Sequence, residues 1–346
     1  GDVQPISVTA GHQVTTVENV ISMPNELSYH EPMVFYSEGY SEPIGFTTVA
    51  ASIGGSPGII ANTNLSHNDY DVIGVQGGFW ATWSTVSPSG GSGGIYAQKL
   101  DLAGNANGTL VSFNETREVG GPELTSLEDG NILLTYNKYV SGHRRLETRL
   151  LDPDGNIILS ATANDGEATG DYIYGESIDL GNSQYLVKWT YSANFPGTIS
   201  GSYGQVFNYD GSKVGGKFAL SGTESGDGGS EIVSIGNNRV ASLWQDASSG
   251  TLNVNIYNFT NGQSLSSTQI SDGGDNASLG AATIAKSGEG FAVSWVEGAM
   301  STAFVKKFNN DGNAVSGAIE VAQNVKSLSD MTIRFAQDGS EYLDIF

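Results

Sequence analysis

The sequence predicts an all-β propeller built from four-stranded blades, and three observations carry that prediction. First, an apolar strand ending in an aromatic residue recurs every 51 to 55 positions. It reads Phe79-Trp80-Ala81-Thr82-Trp83, Leu133-Leu134-Thr135-Tyr136, Leu186-Val187-Lys188-Trp189, Val240-Ala241-Ser242-Leu243-Trp244 and Phe291-Ala292-Val293-Ser294-Trp295. Second, a turn marked by Asp or Asn and then Gly follows each one, as in Asp101-Leu102-Ala103-Gly104-Asn105, Asp152-Pro153-Asp154-Gly155-Asn156 and Asn309-Asn310-Asp311-Gly312-Asn313. Third, an alternating strand precedes each turn, for example Ile95-Tyr96-Ala97-Gln98-Lys99-Leu100. A fixed period of this size marks one supersecondary unit copied along the chain, stable only when stacked on its neighbours.

Each unit is expected to hold an inner strand, the aromatic-ended strand, the alternating strand and a last strand after the turn. The glycine of the turn supplies the positive φ that a tight hairpin needs. Units fall at 69–117, 121–168, 172–225, 229–275 and 278–327, with a shorter divergent blade at 26–67. A closing blade joins strands from 1–25 to those from 328–346, which removes the open sheet edge. Residues 1–346 then form one seven-bladed domain, six or eight blades being the alternatives.

Fifteen Lys and Arg against 37 Asp and Glu give a net charge of −22, which excludes nucleic acid and anionic membranes as natural partners. The chain has no cysteine, so disulfides, thiolate metal sites and a cysteine nucleophile are ruled out. No apolar run is long enough to insert in a membrane. Beginning at Gly1 without a signal-like segment, the chain reads as a processed product or an excised fragment.

Gly77-Gly78-Phe79-Trp80-Ala81-Thr82-Trp83-Ser84, Gly94-Ile95-Tyr96-Ala97-Gln98-Lys99-Leu100-Asp101 and Gly104-Asn105 resemble repeats of large secreted bacterial proteins of the RTX type. The resemblance covers roughly 70–327. It implies an acidic, cysteine-free exoprotein, secreted or held at the bacterial cell surface, and part of a larger chain or assembly. The calcium-binding nonapeptide of that class, Gly-Gly-x-Gly-x-Asp, does not occur here.

Carboxylates at the starts of the inner strands form the first candidate site. Glu123, Glu176 and Glu231 each precede their aromatic strand end by 13 residues, and Asp330 precedes Leu343 by the same interval. Asp71 is one position off that frame, Glu31 lies in the divergent unit, and Ala282 breaks the series. Acids converging on the channel mouth would suit a hard cation such as calcium, since oxygen ligands bind it. The competing reading is that they bond backbone amides at the blade starts.

The basic cluster His143-Arg144-Arg145 with Tyr139 is the second candidate. In a carbohydrate-active enzyme, His143, Arg144 and Tyr139 could serve as base and charge-neutralising groups; the competing reading is an exposed basic loop. The recurrent aromatics are assigned to the seams between blades. Trp80, Tyr191 and Phe195, off that frame or in loops, are the candidate ligand contacts, with His143 and Arg145 beside them. Two nucleophile-elbow strings at 54–58 and 90–94 lie in Gly/Ser-rich loops, and the partial phosphate loop at 211–217 lies in a hairpin and lacks its Ser or Thr. The leading expectation is therefore a non-catalytic module that binds a glycan or protein ligand at the channel face. The alternative is an extracellular polysaccharide lyase or glycosidase.

Overall fold

In a computed structural model of the chain, the described residues are 66–86, 93–114, 119–163, 170–192, 199–222, 228–271, 282–287, 290–297, 302–323, 331–335 and 341–345. They are all β. Five four-stranded antiparallel sheets follow one another along the chain, each with its strands in sequence order. The first holds β1 (Ser66–Val75), β2 (Gly78–Val86), β3 (Gly94–Asp101) and β4 (Val111–Asn114). The second holds β5 (Val119–Ser126), β6 (Ile132–Val140), β7 (His143–Leu151) and β8 (Ile157–Thr162). The third holds β9 (Asp171–Gly181), β10 (Gln184–Ser192), β11 (Ile199–Asn208) and β12 (Lys213–Ala219). The fourth holds β13 (Gly228–Gly236), β14 (Arg239–Gln245), β15 (Leu252–Asn258) and β16 (Gln263–Gln269). The fifth holds β17 (Ala282–Ser287), β18 (Gly290–Glu297), β19 (Thr302–Asn309) and β20 (Ile319–Ala322), and β21 (Met331–Phe335) pairs with β22 (Glu341–Ile345) in a two-stranded sheet. The first strand of each sheet lies beside the first strand of the next, from β1 through β5, β9, β13 and β17 to β21. This is the β-propeller. The divergent blade and the N-terminal closing strands lie outside the described residues.

The turn residues explain the repeat marker. Asp152 accepts the amides of Asp154 and Asn156 on Oδ1, at 2.9 and 2.8 Å, while Gly155 turns the chain at φ 90°. Asp101 does the same for Ala103 and Asn105. These bonds hold both carboxyls below their ordinary range, led by the bonds from Asn105 and Asn156.

Four of the five hydrophobic clusters among the described residues lie between sheets. Tyr136 sits with Trp80, Ile95 and Phe113 across the first seam, and Trp189 with Leu133, Leu146 and Leu150 across the second. Trp295 joins Leu243, Leu252 and Val254 across the fourth. Trp80 requires a correction. Expected as a ligand contact, it is 1% exposed and packed in the first seam. Along β2 neither face is open: Trp80 shares a cluster with Leu134 and Tyr136 of the second blade, while Trp83, on the opposite face, stacks on Tyr96 and is 7% exposed.

Candidate functional site

The inner strands share a local device. Pairing with the second strand slips between Asn68 and Tyr70 in β1, between Gly120 and Glu123 in β5, opposite Lys188 and Thr190 in β9, and between Gly228 and Ser230 in β13. Each bulge stands just before an acid. Bulges bend a strand and re-aim its side chains. Past the bulge, Asp71, Glu123, Glu176 and Glu231 pair with Thr82, Thr135, Lys188 and Leu243, each one residue before the aromatic wedge. Asp71 therefore occupies the series position that its sequence interval denied it. In β17 that position is Thr283, opposite Ser294, and not Ala282.

Four acids on four neighbouring strands do different work. Asp71 Oδ2 accepts the Leu124 amide at 2.7 Å, and Glu231 Oε2 accepts the Ile284 amide at 3.2 Å, each reaching into the next blade. Glu123 is exposed. Glu176 is paired with Lys188, Nζ to Oε2 at 2.8 Å, and the same ammonium donates to the Ser230 carbonyl, next to Glu231. Lys188 is buried, with 7% of its side chain exposed, whereas Glu176 keeps 31% open to solvent. Burial, and then the charge of Glu176, push the Glu231 carboxyl up to about 7; bonds from Thr283 and Ile284 and the Lys188 charge partly oppose this. Two carboxyls on adjacent strands are thus differentiated, one ion-paired and the other holding its proton to near neutrality.

That shift gives a pH signature. The folded state holds the Glu231 proton more tightly than the unfolded chain, so stability is present below the ordinary carboxylate range and falls as pH rises to about 7. Between pH 4 and 8, wild type is expected to lose about 3 kcal/mol relative to Glu231→Gln. Denaturant titrations of both proteins across that range measure it, and a difference independent of pH would refute the assignment.

Tyr174 is a site residue that the repeat frame did not single out. It occupies the bulge of β9 with φ 52° and is 60% exposed. Placing a tyrosine there costs of order 1–2 kcal/mol. Gly175 beside it leaves room for Leu146, with which a Cβ would collide.

The basic hairpin is built into the second and third blades. Arg145 donates to the Gly170 carbonyl at 2.8 Å and lies over the Tyr172 ring at 5.4 Å. The Arg144 amide donates to Asp171 at 2.6 Å. Tyr139 faces Arg144 in the β6–β7 ladder, and His143 faces Val140 at its end, with Nδ1 buried and without a protein partner. Tyr191 is half-buried, edge-on to Tyr172 at 5.5 Å. Glu31, Phe195 and Asp330 lie outside the described residues. Among the described residues, no group of three or more His, Cys, Asp and Glu side chains is placed to hold a metal ion. Among the described residues, no helix is long and apolar enough to cross a membrane.

No family model matches the chain, and no curated protein matches it in sequence. Solved structures do match. An α-L-arabinofuranosidase mutant from Fusarium graminearum, in complex with an iminosugar inhibitor, superposes with a TM-score of 0.51 at 12% identity, covering 80% of this chain and 87% of that one. The GH93 α-L-arabinofuranosidase of the same fungus with arabinobiose gives 0.50 at 12% identity, with the same coverage. These likenesses establish the propeller. They also correct the leading expectation of a non-catalytic binding module, because the architecture that suggested it is here shared with glycosidases over most of the chain.

Proposed function

We propose that this protein is a glycoside hydrolase of propeller fold, with Glu231 and Glu176 as its working carboxyls. One observation carries the reading: two carboxyls on adjacent inner strands, one raised to about 7 by burial and by the other's charge, with Lys188 between them. Glycoside hydrolysis needs this division of labour. Glu231 gives its proton to the leaving oxygen as the glycosidic C–O bond breaks and its electron pair passes to that oxygen. Glu176, as carboxylate, meets the positive charge developing at the anomeric carbon; a water oxygen bonds that carbon and the water's proton is returned to Glu231, so that water is added across the broken bond. The basic hairpin is not the working group in this reading: Tyr139, His143 and Arg144 lie on β6 and β7, the second and third strands of their blade, whereas both working carboxyls stand on inner strands.

A neutral glycan is the substrate class that suits a net charge of −22. Arabinofuranosides are the first to try, since the similar structures carry that activity in their names and one holds arabinobiose. We place the enzyme outside the cell, on the resemblance of its repeats to RTX-type exoproteins. The test is a panel of chromogenic glycosides and neutral oligosaccharides, assayed with wild type, Glu231→Gln and Glu176→Gln. Hydrolysis reduced by about 10²–10⁴-fold in both variants is expected. No hydrolysis of any member by wild type, or full activity in both variants, would overturn the reading.

A further inference from the structure

We infer that Tyr174 is the platform on which a sugar ring of the glycan stacks, a reading that rests on the proposed hydrolase function. Six non-glycine residues among those described have positive φ. Five are Ser or Asn in the hairpin turns at 141, 182–183 and 237–238, where small polar residues tolerate that conformation. Tyr174 is the sixth, and it alone lies within a strand.

The neighbouring blades show what the backbone prefers at this point. Gly121 holds the equivalent bulge of β5 at φ 58°, 53 residues earlier, and Gly229 stands two residues before Glu231 as Tyr174 stands before Glu176. Glycine would adopt this conformation without strain. The chain instead carries a large aromatic residue there and leaves most of it in solvent. Packing does not account for that choice, because an exposed ring gains little from burial.

Position does account for it. Tyr174 is two residues from Glu176, at most about 7 Å along the strand, which is the scale of one sugar unit. An amphipathic ring there offers its face to the C–H side of a sugar and its hydroxyl to the sugar's oxygens. A bulge that re-aims the side chain, at the energetic expense of positive φ, fits a residue kept for contact.

Tyr174→Gly and Tyr174→Phe test this on the best substrate of the panel. Tyr174→Gly is expected to raise KM about tenfold, with a smaller change in kcat, while its Tm rises by about 2 °C as the strain is relieved. Tyr174→Phe should keep KM within about twofold of wild type, the ring face being retained. Should Tyr174→Gly misfold, Tyr174→Asn, which also tolerates this backbone, replaces it. A KM unchanged in the variant lacking the ring, with wild type active, overturns this inference alone. If wild type neither cleaves nor binds any glycan of the panel, the inference and the hydrolase reading fall together.

Discussion

Trp189→Ala is expected to destabilise the protein by about 3–5 kcal/mol, the range for removing a large aromatic from a packed core. Trp189 is 1% exposed and belongs to a cluster drawn from both sides of the second seam: Leu133, Leu146 and Leu150 from one blade, Tyr185, Val187 and Phe207 from the other. Its ring lies 6.3 Å from Tyr172, tilted by 58°. Removing it takes away apolar burial and leaves a void that two hydrogen-bonded sheets are too stiff to close. A further consequence follows from repeat architecture. Each blade touches mainly its neighbours, so stability is close to a sum of blades and seams. Weakening one seam should broaden the denaturant transition or split it, since the second and third blades lose their coupling. Leu102→Ala, at a residue 40% exposed in the first blade's turn, serves as the control and should change stability by under about 0.5 kcal/mol. A loss below about 1 kcal/mol for Trp189→Ala would show that this aromatic is not a wedge.

The sequence carried the blade frame because its signals are local. Gly155 turns at positive φ and Asp152 caps the same turn through its own side chain, both within five residues. Which aromatics meet a ligand is a different kind of question. Trp80 and Trp83 point to opposite faces of β2, and in an ordinary half-exposed strand one of them would reach solvent. Here neither does: Trp80 lies in the seam with the second blade and Trp83 stacks on Tyr96, and they are 1% and 7% exposed. Counting from the wedges also misjudged the acids. Asp71 lies 12 residues from Trp83 rather than 13, one position off the frame, yet pairing places it opposite Thr82, in series with the others. The residues that define the site left clearer marks than the spacing did. Lys188 is an ammonium between Val187 and Trp189 in a buried run, where Thr82, Thr135, Leu243 and Ser294 stand in the other blades. Tyr174 takes the place that glycine holds before Glu123 and Glu231. What no pattern of residue types could supply is the sharing of Lys188 between Glu176 and the next blade's Ser230. That contact crosses a seam.

Lys188→Met is the second change expected to have a large effect, and its pH dependence identifies the cause. Methionine fills nearly the same volume as the lysine stem, so little packing is lost. What disappears is the charge beside Glu176 and Glu231 and the donor to the Ser230 carbonyl. Removing one partner of a buried ion pair costs about 3–5 kcal/mol. Solvent at the 31% exposed Glu176 brings the expectation to the lower end, about 3 kcal/mol at pH 8. At that pH the two carboxyls face each other without a cation, and the folded state must either bear the repulsion or bind a proton that the unfolded chain has released. Either way the cost is present above the ordinary carboxylate range and shrinks as pH falls towards 4, where folded and unfolded chains are both protonated. A packing defect would cost the same at every pH. Adding Glu176→Gln to Lys188→Met removes the repulsion and should recover part of the stability at pH 8, leaving only the unpaired Ser230 carbonyl and the penalty of Glu231's own burial. In wild type, Lys188 and Glu176 act on Glu231 in opposite directions. Deleting the lysine should therefore raise the Glu231 pKa further and move the alkaline limb of the hydrolase pH profile upward, since a general acid works while it keeps its proton. A loss of stability that does not vary with pH, or an alkaline limb that does not move, would disconnect Lys188 from the carboxyl pair.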